Sequence, residues 1–298
     1  MAYCQTMNFS RQVYSMMNDG RGAERFAGGS SCLCDATAPS GAGIIVNADD
    51  WGRDVATTGR SLDCVLRGAV SSVSAMVFME DSERAAHLAL LHRVDTGLHL
   101  NLTMPFYAPH SSSLLRAHQK KLSRFLTANR WAPLLYHPGL AGSFEYVVKA
   151  QLEEYERLYG APANRVDGHH HMHLATNVVM QELLPDNIIV RRNLTFGPKE
   201  KGYFNRLYRR RQDLRLARRH RMADFFFDLQ PLEPRRRLVD IFDLAASFDI
   251  EVETHPIREE EYRFLISEEL FHCAGQAGVV RGYVLRIRND GTGGRSAA

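Results

Sequence analysis

Gly43-Ile44-Ile45-Val46-Asn47-Ala48-Asp49-Asp50-Trp51-Gly52 runs three consecutive branched aliphatic residues straight into two adjacent carboxylates. The apolar run reads as a short strand buried on both faces, and Asp54–Arg67 follows with Val55, Leu62, Val65 and Leu66 at helical spacing. Further along, Ser72–Met79, Thr96–Leu102, the segment ending at Val166–Asp167, Asn187–Val190, Phe225–Asp228, Ile250–Thr254 and Tyr283–Ile287 read as strands. Helical stretches stand between them: Asp81–His92, Leu114–Asn129, Phe144–Tyr159, Val178–Leu184, Asn205–Arg221, Pro234–Phe248 and Glu260–Ala274. This alternation predicts a mainly parallel sheet with helical crossovers in a single α/β domain. Asp49–Asp50, His99, the His169 cluster and His255 each lie at or just after a different strand. A TIM-like (β/α) barrel brings such positions to one face, whereas an open sheet gathers only those near its switch point.

Upstream of Gly43 no apolar period is sustained, and Gly28-Gly29-Ser30-Ser31 and Pro39-Ser40-Gly41 mark residues 1–42 as a flexible, disordered extension outside the fold. The chain of 298 residues is 45% hydrophobic and 24% charged, enough apolar content for a large core without staples. The sequence offers no apolar run long enough for a transmembrane segment and no secretion signal at its start. Five cysteines without a CxxC pair indicate neither a disulfide framework nor a cysteine zinc site, so the expected location is cytoplasmic. The net charge of +3 is too mild to imply nucleic acid, but Arg206–Arg221 holds eight arginines and one Asp, a local +7.

Two neighbouring carboxylates at a strand end repel each other in a partly desolvated place, a cost that a metal or a shared proton offsets. The plainer alternative is an acidic turn capping the next helix. In Gly97-Leu98-His99-Leu100-Asn101-Leu102-Thr103, alternation puts His99 and Asn101 opposite the leucines, where a histidine can also be an ordinary core residue. Asp167-Gly168-His169-His170-His171-Met172-His173 is more pointed, with four of the 13 histidines within five residues. His169 pairs with His171 in extended chain and with His173 in a helix, so spacing leaves the choice open. Glu253-Thr254-His255-Pro256 closes another strand. One Asp and two or more His from separate strand ends make a mixed N/O site for a divalent ion, leaving an Asp and a His as base and acid.

These four ordered motifs, NADDWG, GLHLNLT, DGHHHMH and ETHP, resemble the YdjC-like carbohydrate deacetylase family, which includes chitooligosaccharide deacetylases, over about Gly43–Asn289. The resemblance implies a distorted (β/α) barrel over 43–289, a flexible tail over 290–298, and metal-dependent removal of N-acetyl groups from a sugar. It further implies Asp50, His99 and His169 as ligands of one divalent ion, Mg or Zn before Mn or Co. Asp49 would then be the catalytic base and His255 the acid. Trp51, Asn101, His171, His173, Arg191 and Arg192 are candidate substrate contacts. The expected partner is an N-acetylated saccharide, free or carrier-linked; a homodimer is compatible and nucleic acid is not expected. Two rivals remain: a metal-dependent phosphoesterase or other amidohydrolase using Arg191 and Arg192, and an anionic-surface or nucleic-acid binding module built on Arg206–Arg221, whose plain alternative is a solvated helix face. An anionic carrier on the substrate would give those arginines a docking role.

Overall fold

A computed structural model describes residues 43–196, 202–275 and 277–286. The extension expected over 1–42, the tail over 290–298, Ile287 and part of the loop before the arginine-rich helix lie outside the described residues. Seven strands form one sheet, all parallel, in the order β5-β4-β3-β2-β1-β7-β6. They are β1 (Ile44–Trp51), β2 (Ser72–Ala75), β3 (Thr96–Leu100), β4 (Arg165–Gly168), β5 (Ile189–Val190), β6 (Phe225–Asp228) and β7 (Ile250–Thr254). The sheet curls into an incomplete barrel. Its two edges meet through an isolated bridge, with Val190 N–H on the Arg221 carbonyl at 2.9 Å and Arg221 N–H on the Ile188 carbonyl at 3.1 Å, and through Thr195 N–H on the Phe226 carbonyl at 2.8 Å.

The crossover helices are α1 (Val55–Leu66), α2 (Ser82–His92), α3 (Ser113–Leu126), α4 (Ala141–Tyr159), α5 (Thr176–Met180), α6 (Tyr203–Leu216), α7 (Arg235–Asp243), α8 (Glu259–Ile266) and α9 (Glu268–Ala274). Several begin and end on local signals. Asp54 and Ser112 accept the backbone N–H of Thr57 and Leu115 as N-caps of α1 and α3, and Gly160 at φ 74° stops α4. The predicted helix Glu260–Ala274 is two helices because Ser267 leaves the helical region and caps α9 through its hydroxyl. Val178–Leu184 shifts forward to α5, and the strand expected to run to Met79 stops at Ala75, with Phe78 in the left-handed region. The eighth strand over Tyr283–Ile287 is not formed at Tyr283–Arg286, where the chain instead crosses beneath the barrel. Tyr283 donates its hydroxyl to Glu251 there at 2.6 Å.

Alternation along the strands divides the sheet sharply. Residues such as Val46, Ala48, Val73, Leu98, Leu100, Val166, Val190 and Val252 face outward into the core beneath the helices. The inner side carries Asn47, Asp49, Ser72, Ser74, His99, Arg165, Asp167, Glu251 and Glu253, all buried. A polar interior costs least where its groups are paired. At the lower level Arg165 donates to Asn47 Oδ1 at 2.8 Å and Ser72 Oγ at 3.1 Å and lies 4.4 Å from the Tyr283 ring centroid. Gly97 makes room for it, since a Cβ there would stand 2.8 Å from Arg165 Nε. The upper level is the site.

Candidate active site

β1 delivers both carboxylates through an irregularity in its own backbone. Pairing with β2 slips between Ala48 and Trp51, and Asp50 takes φ 66°, a conformation uncommon for any residue but glycine. Asp49 and Asp50, which would point to opposite faces of a regular strand, are thereby both brought near His99 Nε2, at 4.0 and 3.4 Å. His169, just beyond β4, donates from Nδ1 to Asp50 Oδ1 at 2.9 Å, and its Nε2 is buried without a partner. The ligand-type atoms of Asp50, His99 and His169 all lie within 4.8 Å of one another. Arg53 closes the outer side, donating to Asp50 Oδ2 at 2.5 Å.

Two buried residues orient this group. His99 Nδ1 bonds Asp167 Oδ1 at 2.8 Å, which turns Nε2 toward the two aspartates. Arg191, 1% exposed, donates to both oxygens of Asp49 at 2.7 and 2.8 Å and to Glu251 at 2.8 Å, and it stands 2.9 Å from Asp167 and 3.2 Å from Glu253. Its own backbone carbonyl accepts from His173 Nε2 at 2.9 Å. Asp167 also accepts the Ser74 hydroxyl at 2.5 Å.

Charge in the pocket follows from these contacts. Burial alone would raise the Asp49 carboxyl, but Arg191 and His99 hold it below the usual range. Burial is likewise overcome at Asp50 by hydrogen bonds from His169 and His99, and at Asp167 by Arg191 and His99. Burial would lower the His99 imidazole, yet Asp49 and Asp167 raise it to about 10, so the pocket favours positive charge. Glu253 is pushed well up by burial and then by Asp49, and Glu251 is raised by burial. His173 is drawn down by burial to about 4, fitting a neutral strut.

The sequence candidates therefore divide. Asp49, Asp50, His99 and His169 converge. His255, just past β7, stands in electrostatic reach of His170 and Asp228, with its backbone N–H on Glu261 at 2.6 Å and its Nδ1 buried without a partner. His170 lies tilted against His169, ring centroids 4.0 Å apart, and its Nδ1 meets Thr103 Oγ1 at 3.2 Å. His171 is partly exposed, 3.6 Å from Glu253.

Other candidates serve the scaffold. Trp51 is fully buried in the main core and Arg191 is locked among carboxylates. Asn101 ties its own loop, accepting from the backbone of Thr103 and Met104. Arg192 turns outward to Asp213 at 3.0 Å and to the Asp224 carbonyl. Sequence reasoning assigned no role to Asp167, Glu251 or Arg53. The signal for Glu251 and Glu253 was there, two acids alternating with Val252 inside an apolar strand.

A family model described as YdjC-like protein matches residues 43–274. A chitooligosaccharide deacetylase of Proteus mirabilis is 31% identical over 132 residues, covering 44% of this chain and 50% of that protein. A carbohydrate deacetylase of Mus musculus is 32% identical over 139 residues, 45% of this chain and 44% of that one. The chain thus spans about half the length of the curated relatives it matches. A solved structure from Enterococcus faecalis, described as a candidate cellobiose-phosphate cleavage protein, superposes with a TM-score of 0.56 at 18% identity over 82% of this chain and 98% of that one, a likeness of fold.

Proposed function

Since the chain belongs to the YdjC-like family, we propose that it is a metal-dependent hydrolase that removes N-acetyl groups from a saccharide, releasing acetate and an amino sugar. The observation that carries this reading is the meeting of Asp50, His99 and His169 beside an Asp49 that Arg191 holds ionised and oriented.

A divalent ion fits these residues. One carboxylate and two imidazoles form a donor set suited to Zn or Mg, and to Mn or Co. His169 Nε2 is a buried nitrogen without a partner, and the Asp167–His99 bond is the kind of outer contact that orients a metal-binding imidazole. Asp50, His99 and His169 would hold the ion. When bound it supplies Lewis acidity that polarises an amide carbonyl and acidifies water.

The chain's own groups do the rest. Asp49 Oδ1 is saturated by Arg191 and by Asn47 Nδ2 at 2.8 Å, whereas Oδ2 takes Arg191 and keeps lone-pair capacity on the side of His99. That oxygen is the base that takes a proton from the attacking water. His255, just past β7 and so beside the end of β1, gives a proton to the departing amine nitrogen. Such general acid–base assistance contributes about 10²–10⁴ in rate.

The phosphoesterase reading loses its cation, because Arg191 is enclosed by carboxylates and Arg192 is engaged away from the site. The arginines of the α6 segment are also partly committed: Arg219 pairs with Glu182 at 2.7 Å and with Asp186 at 2.5 Å, and Arg209 lies over Phe196. The free thiols of Cys64 and Cys273 suit the reducing cytoplasm. The test is acetate release from N-acetylated chitooligosaccharides before and after chelation. Turnover that stops with EDTA and returns with Zn or Mg supports the reading; chelator-insensitive release, or phosphate release from sugar phosphates in its place, overturns it.

A further inference from the structure

From Thr96 to Phe144 the sequence has no acidic residue, while Arg116, Lys120, Lys121, Arg124 and Arg130 give the stretch five positive charges. The structure gathers this imbalance on one part of the surface. Helix α3 buries Leu115, Gln119, Leu122 and Leu126 and turns Lys120, Lys121 and Arg124 to solvent. Among the described residues none of these three, nor Arg130, has a carboxylate partner. The segment immediately after α3 exposes large apolar side chains instead of burying them: Trp131 is 57% exposed, Leu135 58% and Tyr136 43%. The Arg130 guanidinium lies 4.8 Å from the Trp131 ring centroid.

We infer that α3 and residues 130–136 form a docking surface for an anionic lipid bilayer. Charge complementarity selects this occupant: unpaired cations sit next to exposed Trp, Tyr and Leu, the pairing that seats a protein at the headgroup boundary. An acidic bilayer attracts each such cation, whereas a second copy of the chain would present the same positive face. No helix among the described residues is long and apolar enough to cross a membrane, so the contact is peripheral. The surface adjoins the site's rim, because Ser123 of α3 donates to the Thr103 carbonyl at 2.6 Å and the Thr103 hydroxyl meets His170. Lipid docking is independent of the hydrolytic reading and does not require it.

The chain has two tryptophans, and Trp51 is fully buried, so a fluorescence change on adding lipid reports Trp131. The full chain is titrated with vesicles of phosphatidylcholine containing about 30% phosphatidylglycerol and, separately, with pure phosphatidylcholine. A blue shift with the acidic vesicles, absent with the neutral ones, lost in Trp131→Phe and suppressed by 0.5 M salt on the order of the screening expected at that strength, supports the inference. At about 1 kcal/mol for each cation near an acidic bilayer, or about fivefold in affinity, K120Q/K121Q/R124Q weakens vesicle binding at least tenfold, with circular dichroism unchanged. Equal response to both vesicles, no Trp131 shift, an unaffected triple variant, or concentration-dependent self-association that shifts Trp131 without lipid overturns it.

Discussion

Arg191 grips Asp49 with both terminal nitrogens while its Nε holds Glu251, so one guanidinium fixes the direction of the carboxylate on β1 and ties it to β7. Arg191→Met leaves Asp49, Asp167, Glu251 and Glu253 buried without their common cation. A loss of about 3–5 kcal/mol is expected, as for breaking one side of a buried ion pair. Arg191→Lys keeps the charge but not the two-pronged grip and falls between. Urea unfolding monitored by circular dichroism checks both; a melt within about 0.5 kcal/mol of wild type for the Met variant contradicts the role.

Replacing Asp50, His99 or His169 with Ala is expected to weaken Zn binding at least a hundredfold by calorimetry. Asp167→Asn, which weakens the bond that orients His99 together with the ion pair to Arg191, should weaken it about 10–100-fold. Asp49→Asn and His255→Ala keep metal content near wild type and lower acetate release about 10²–10⁴-fold. Metal lost in Asp49→Asn with per-metal turnover kept would exchange the roles of the two aspartates.

Gly168 precedes the histidine turn, and a Cβ there would stand 2.9 Å from the backbone nitrogen of His173 and 3.0 Å from its Nδ1. Backbone cannot yield as a flexible side chain does. Gly168→Ala should cost about 1–3 kcal/mol as overpacking and displace His169, so stability and metal affinity fall together. Thermal melting and Zn calorimetry on the same preparation test this.

Away from the site, Glu154 accepts from His110 at 2.8 Å and from Arg157 at 2.8 and 2.7 Å. Burial would raise its carboxyl, but Arg157 and then His110 hold it below the usual 4.5. A carboxyl lowered in the folded state stabilises fully above its unfolded value and ceases to do so as pH falls through its folded value. Glu154→Gln should thus be destabilised at pH 7 by about 1 kcal/mol, allowing for solvent screening of the half-exposed Arg157. The gap from wild type should close below about pH 4. A gap that persists or widens in acid reverses the sign.

Alternation of apolar runs and helical stretches made the parallel barrel readable, because each strand buries an unbroken outer face. Boundaries were harder where burial continues past the strand. Met76–Met79 is as buried as β2, so hydrophobicity could not mark the turn that Phe78 makes. The histidine cluster resisted periodic reading for a different reason. His170 and His171 both adopt positive φ, 55° and 57°, and therefore follow neither the strand period nor the helical one. Arg191 read as a substrate contact because its partners lie 142, 60 and 62 residues away in sequence, at Asp49, Glu251 and Glu253.

The irregular turn of β1 at Asp50 brings two neighbours in sequence into one cavity with unlike partners, Arg191 on Asp49 and His169 on Asp50, without a longer loop between them. Anyone transplanting this chemistry onto another scaffold would have to carry the kinked dipeptide as a unit with its bracing arginine. On a straight host strand the same two letters would come apart, one into the lumen and the other under the helices. The portable module is thus a backbone shape, and the carboxylates are its cargo.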